Sequence, residues 1–186
     1  MNPQFNLPYE EYFAAEEIKK LIGKEYKNIS IFIPMSRQEK GIDFILFNKD
    51  TKKILSMQVK SSRTYLAKTQ LTNRLWFNSF TPDPAADIFL LVGTYPKTKV
   101  DPKNINAIKN IKWDSVLFLF NYKEMIDFID NVRLKKTPEK HDRYYGFGFD
   151  SSDKIIGTRG GAKIEGIDFS DHLLKNKLLM LKQMLS

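Results

Sequence analysis

At 186 residues the chain is long enough for one compact domain with a well-formed core and too short for two full ones. It contains no cysteine, which excludes disulfides, thiolate-bound zinc, iron–sulfur clusters and thiol nucleophiles, so any metal must bind through oxygen or histidine. Thirty Lys plus Arg against 22 Asp plus Glu give a net charge of +8, which favours a polyanionic partner through release of phosphate counterions.

No apolar run approaches the ~20 residues that a membrane-spanning helix needs, and residues 1–11 have neither a basic start nor an apolar signal core. The expectation is a folded cytoplasmic protein that makes no use of a membrane.

Along residues 9–24 the apolar Ala14, Ala15, Ile18, Leu21 and Ile22 recur at three- and four-residue steps, which predicts an amphipathic helix weakened at Gly23. Residues 29–33 are apolar and β-branched, stop at Pro34 and predict a strand; residues 36–41 predict a loop. Two strand-like runs, 42–47 and 54–60, flank a polar connection and predict a hairpin. Residues 61–81 carry aromatic side chains without a clean period and leave their structure open.

Runs 87–92 and 115–120 are nearly continuous in apolar residues, as in central strands, and 123–132 predicts a helix with Met125, Ile126, Phe128, Ile129 and Val132 on one side. Residues 141–161 are aromatic and glycine-rich; Ser170 reads as the N-cap of a last helix reaching Met184.

The chemistry gathers at the hairpin. In an extended strand Gln58 and Lys60 share one face while Met57 and Val59 take the other. With Asp50 and Thr51 at the centre of the turn, antiparallel pairing sets Asp43 opposite Gln58, Cβ atoms about 5 Å apart. A carboxylate, an amide oxygen and an ammonium then converge, and the two oxygen groups suit a hard divalent cation. On the first helix Glu11 lies in the stripe of Ala14, Ala15, Ile18 and Ile22, Glu10 and Glu17 lie on its flanks, and Glu16 points away. A carboxylate on an inward stripe asks for a cation or a cleft.

Glu11, Gly41-Ile42-Asp43 and Gln58-Val59-Lys60-Ser61-Ser62 together resemble the PD-(D/E)XK nuclease superfamily. The resemblance implies an α/β restriction-endonuclease-like fold, a mixed sheet flanked by helices with an αβββαβ core. It would occupy residues 1–186 as one domain, with a loop-rich C-terminal extension ending in a helix. It implies metal-dependent hydrolysis of phosphodiester bonds with Mg²⁺ or Mn²⁺, on nucleic acid with DNA favoured over RNA. Asp43, Gln58 and Glu11 would hold metal, and Lys60 would align water or stabilise charge at phosphorus. Where the superfamily carries an acid two residues before the lysine, this chain has Gln58, a substitution that some members carry while active. The alternative is a decayed nuclease-fold module that binds nucleic acid or a protein without cleaving. Cutting a duplex is compatible with a homodimer, although no segment specifies a two-fold interface.

Other features are weaker. His141 and His172 stand in no ligand spacing. Residues 157–161 lack the Walker spacing and read as a plain turn. Trp76, Phe77, Tyr144, Tyr145, Phe147 and Phe149 suit either base stacking or a core, and Arg63, Arg74 and Arg159 are candidate phosphate ligands. Basic residues cluster at Lys97, Lys99, Lys103, Lys109 and Lys112, and again at Arg133, Lys135, Lys136, Lys140 and Arg143.

Overall fold

The computed structural model describes residues 9–22, 27–34, 41–65, 73–96, 113–133, 144–149 and 154–186. The first basic cluster, the second apart from the backbone of Arg133, His141, the 36–40 part of the predicted loop and the side chains of Arg63, Arg133 and Glu10 lie outside the described residues.

Helix α1 (Tyr9–Ile22) is followed by strands β1 (Ile29–Phe32), β2 (Phe44–Asn48), β3 (Ile54–Tyr65), β4 (Asn73–Asn78), β5 (Ile88–Pro96) and β6 (Trp113–Asn121). Helix α2 (Tyr122–Arg133), strands β7 (Tyr144–Phe149) and β8 (Ile156–Arg159), a 3-10 turn (Ser170–His172) and helix α3 (Leu174–Leu185) complete the order. The first part of the sheet runs β1-β2-β3-β5-β6, with only β3 and β5 parallel. β3 continues past it and pairs through Thr64 and Tyr65 with β4, which leads to β7 and β8.

Period two separates the faces of the first part. Phe44, Leu46, Leu55, Met57, Ile88, Leu90 and Leu119 point to a layer closed by Ala14, Ile18 and Ile22 of α1 and Leu174, Leu181 and Leu185 of α3. Each such side chain, fully buried, contributes about 1.5–3 kcal/mol. Phe89, Leu91, Phe118 and Phe120 point the other way and pack with Leu75, Phe77, Tyr145 and Phe147 of the β4-β7-β8 part and with Met125, Phe128 and Ile129 of α2. Rings dominate that layer: Phe118 and Phe147 stack at 4.8 Å between centroids, and Phe77 and Tyr145 at 5.5 Å.

The mixed sheet with flanking helices matches the expected class, but the αβββαβ order does not hold throughout. Between β3 and β5 the described residues hold β4, not a helix, because Leu75 and Phe77 alternate with Trp76 and Asn78, and that period fits a strand against β7. The C-terminal extension is less loop-rich than expected, since β7 and part of the predicted 157–161 turn (Gly157, Thr158 and Arg159 in β8) are strand. Ser170 caps no α-helix: it opens the 3-10 turn, its hydroxyl 2.5 Å from Asp168 Oδ1, and Leu173 precedes α3 without a side-chain cap. At α2 the cap is reciprocal, with Glu124 N–H donating to Asn121 Oδ1 and Asn121 N–H to Glu124 Oε2, both at 2.9 Å. Among the described residues no helix is long and apolar enough to cross a membrane.

Candidate functional site

The hairpin register runs from Phe47 opposite Ile54 to Phe44 opposite Met57, and Asp43, one residue before β2, stands at the end of that ladder and bonds to the two residues that flank Gln58. Asp43 N–H donates to the Met57 carbonyl at 2.8 Å, and its carboxylate Oδ2 accepts the Val59 N–H at 2.5 Å. The carboxylate thus takes the place of a strand carbonyl where β2 has ended and β3 runs on. Oδ1 has no hydrogen-bond partner among the described residues.

The approach to Asp43 is fixed by Gly41, whose φ of +85° suits glycine, and a Cβ there would lie 2.4 Å from Asp83 Cγ. Asp83 itself is held by the turn after it, its Oδ1 accepting the Ala85 N–H at 2.9 Å. The parallel register of β3 and β5 is pinned nearby: Asp87 Oδ2 accepts the Ser56 N–H at 2.8 Å, and Asp87 N–H donates to the Ser56 carbonyl at 3.0 Å. That register places Gln58 beside Phe89 and Lys60 beside Leu91.

Three polar side chains are buried among the described residues, Asn48, Ser56 and Gln58. Asn48 is satisfied, donating to the Leu185 carbonyl at 2.9 Å and accepting the Asp50 N–H at 2.9 Å. Ser56 is satisfied too, its hydroxyl 2.6 Å from the Ala85 carbonyl and 2.8 Å from Asp87 Oδ2. Gln58, 8% exposed, is the exception: its buried Oε1 has no hydrogen-bond partner among the described residues. An unsatisfied buried carbonyl costs about 1–3 kcal/mol, so a donor or a cation at this oxygen would recover free energy.

Lys60 is half-buried, its Nζ 5.1 Å from the centroid of the Phe80 ring, and Phe80 in turn packs on Phe89 at 5.9 Å. The ring face attracts the ammonium and restricts where it sits. Phe80 and Asp83 both shape this region, and sequence reasoning assigned neither of them a role. Phe80 falls in the stretch whose period was unreadable; the signal for Asp83 was its rigid setting between Pro82 and Pro84.

Glu11 is half-buried on α1, on the stripe of the buried Ala14, Ala15, Ile18 and Ile22. Its competitors are occupied on the surface, Glu17 by Lys20 at 2.6 Å and Glu16 by Lys19 at 3.9 Å. The stripe packs in the layer that contains Met57 and Val59, whereas Gln58 and Lys60 alternate to the other side of β3. Asp43, Gln58 and Lys60 thus lie on one hairpin, and Glu11 stands on the helix of the opposite layer.

Among the described residues no group of three or more His, Cys, Asp or Glu side chains gathers as a metal site; with an amide at position 58 the hairpin offers a single carboxylate at its mouth. An amide oxygen and a carboxylate oxygen remain a donor set suited to a hard cation, and the orphaned Gln58 Oε1 fits that use. His172 is no ligand candidate, stacked on Phe120 at 4.1 Å with Nδ1 3.2 Å from the Leu119 carbonyl. No family model matches this chain, and no curated protein does.

Proposed function

We propose that the chain is a metal-dependent nuclease that hydrolyses phosphodiester bonds, in DNA rather than RNA, on a site made of Asp43, Gln58 and Lys60 with Glu11 from α1. The observation that carries this reading is the buried Gln58 Oε1, without a hydrogen-bond partner among the described residues, on β3 between Met57 and Val59, the two residues to which Asp43 is hydrogen-bonded, and two residues before Lys60 on the same face of the strand. On the same reading the sheet is a restriction-endonuclease-like core in which β4 stands where a helix is usual.

Mg²⁺ or Mn²⁺, held by Asp43 and Gln58, would supply Lewis acidity and neutralise phosphate charge. Lys60 binds a non-bridging phosphate oxygen. As the water oxygen bonds to phosphorus and the bond to the leaving oxygen breaks, negative charge grows on these oxygens, and a fixed ammonium stabilises it more than it stabilises the ground state. Phe80 keeps that ammonium from wandering. Glu11 would orient the attacking water or hold a second ion.

The test is cleavage of single-stranded, duplex and branched DNA and RNA by the purified protein with Mg²⁺ or Mn²⁺, each reaction repeated with chelator. Cleavage that requires metal and stops with chelator is the expected result. Binding without cleavage under either metal would instead support the decayed module, the second reading that the single carboxylate at the hairpin mouth favours.

A further inference from the structure

The aromatic residues that suit either stacking or a core divide sharply. Phe77, Tyr145, Phe147 and Phe149 are buried, whereas Trp76 and Tyr144 are 39% and 42% exposed. Both belong to the β4-β7-β8 part, on the face turned away from the core, because they alternate with buried Leu75, Phe77 and Tyr145.

The register sets Trp76 opposite Gly146 and Gly146 opposite Arg159, one row across three strands. The Arg159 guanidinium carbon lies 5.4 Å from the Trp76 ring centroid and 5.2 Å from that of Tyr144. Gly146 makes this possible: a Cβ there would come within 2.8 Å of Trp76 Cδ1, so the indole leans over β7 only because that position is glycine. Arg74, two residues before Trp76 on the same face of β4, adds a second cation whose buried Nε has no hydrogen-bond partner among the described residues.

We propose that this face binds single-stranded nucleic acid, with unpaired bases stacking on Trp76 and Tyr144 and Arg159 and Arg74 drawing in the phosphates. The chemistry selects the occupant. Flat rings need the free faces of bases, which a duplex keeps stacked inside, and cations matched to phosphate complement a chain of net charge +8. The proposal deepens the nuclease reading, on which it rests for the substrate class, by naming the strand form. The two regions also adjoin: the Ser62 hydroxyl donates to the Trp76 carbonyl at 2.5 Å, and Ser62 stands two residues, roughly 7 Å of strand, beyond Lys60.

The test is fluorescence anisotropy of a labelled oligothymidylate titrated with the full chain, in chelator so that cleavage plays no part. Trp76→Ala and Tyr144→Ala should each weaken binding about tenfold, with Trp76→Phe restoring most of it. Gly146→Val, which pushes the indole aside, should match Trp76→Ala, and Arg159→Gln should flatten the salt dependence. Blunt duplex of equal length should bind more weakly and be indifferent to Trp76→Ala. A chain that cleaves nothing yet loses binding at Trp76 sinks only the nuclease reading. Variants with native melting curves that bind oligothymidylate as tightly as the parent, or lose single-stranded and duplex binding alike, would overturn the proposal.

Discussion

The two layers on either side of the first part of the sheet solve the problem of burial differently. The layer under α1 and α3 is mostly aliphatic, and the buried amide at its edge, Asn48, is fully used in tying the hairpin turn to the end of α3. The layer under the β4-β7-β8 part is built of rings, and the buried polar atoms that have no hydrogen-bond partner among the described residues, Gln58 Oε1, Arg74 Nε, Tyr145 Oη and Thr158 Oγ1, belong to β3, β4, β7 and β8. Burial alone pushes the Tyr145 phenol far above its ordinary pKa, so that hydroxyl stays neutral. A protein tolerates such debts where something other than stability is selected, which points to the ring-rich side as the working side.

The largest effect expected within this comparison is on packing. Phe147 stacks on Phe118 and meets Phe77, Tyr145 and Phe169 edge-on. Phe147→Ala should therefore destabilise by about 3–5 kcal/mol, read from chemical denaturation; a loss below about 1 kcal/mol would mean that the ring layer is loosely packed.

Next come the two buried amides, which sharpen the contrast. Asn48→Leu leaves the Leu185 carbonyl with the Thr51 hydroxyl alone and takes the acceptor from the Asp50 N–H, and should cost about 1–3 kcal/mol. Gln58→Met removes an oxygen that has no hydrogen-bond partner among the described residues, so stability should hold or rise while metal-dependent cleavage disappears. If Gln58→Met destabilises as much as Asn48→Leu, Gln58 is a structural amide and the layers do not differ in kind.

A smaller effect concerns α1: Glu11→Gln should slow turnover at least tenfold, about 1.4 kcal/mol, against little change for Glu16→Gln, whose carboxylate is spent on Lys19 at the surface. Equal rates in the two variants would remove Glu11 from the site.

The smallest is a pH effect on the helices that close the fold. Burial first, and the nearby Lys177 charge, lower the His172 pKa below the ordinary 6.5, outweighing the Leu119 carbonyl, Glu124 and Asp171, which raise it. A folded pKa below the unfolded one gives stability that is complete above 6.5 and is lost as pH falls through the folded value. Glu124 adds the same sign at lower pH: burial raises its pKa, but hydrogen bonds from Lys177 and the Asn121 N–H and the charges of Lys177 and His172 hold it below the ordinary 4.5. Melting temperature should fall on acidification below neutrality, and His172→Phe should flatten the first part of that fall. An unchanged slope would assign it to other groups.

The hairpin was legible in the sequence because two period-two runs and a polar connection fix a register, and the observed pairing of Phe44 with Met57 is the expected one. The helix stripe of Ala14, Ile18 and Ile22 was legible for the same reason of periodicity. β7 was not, because Gly146 and Gly148 occupy its outward positions and hide the alternation of Tyr145, Phe147 and Phe149. Phe80 and Asp83 reach the site from a crossover that no local period marks, and Ser170 resembles an N-cap only until Asp168 takes its hydroxyl.

The most direct measurement is the rate of Mg²⁺- or Mn²⁺-dependent cleavage by Lys60→Ala beside the parent chain, with melting curves of both. Lys60 contacts the Phe80 ring and lies outside the apolar core, so the variant should melt like the parent while its rate falls by about 10²–10³. A Lys60→Ala protein of native stability that cleaves at the parent's rate would contradict the assignment of this hairpin as a catalytic site.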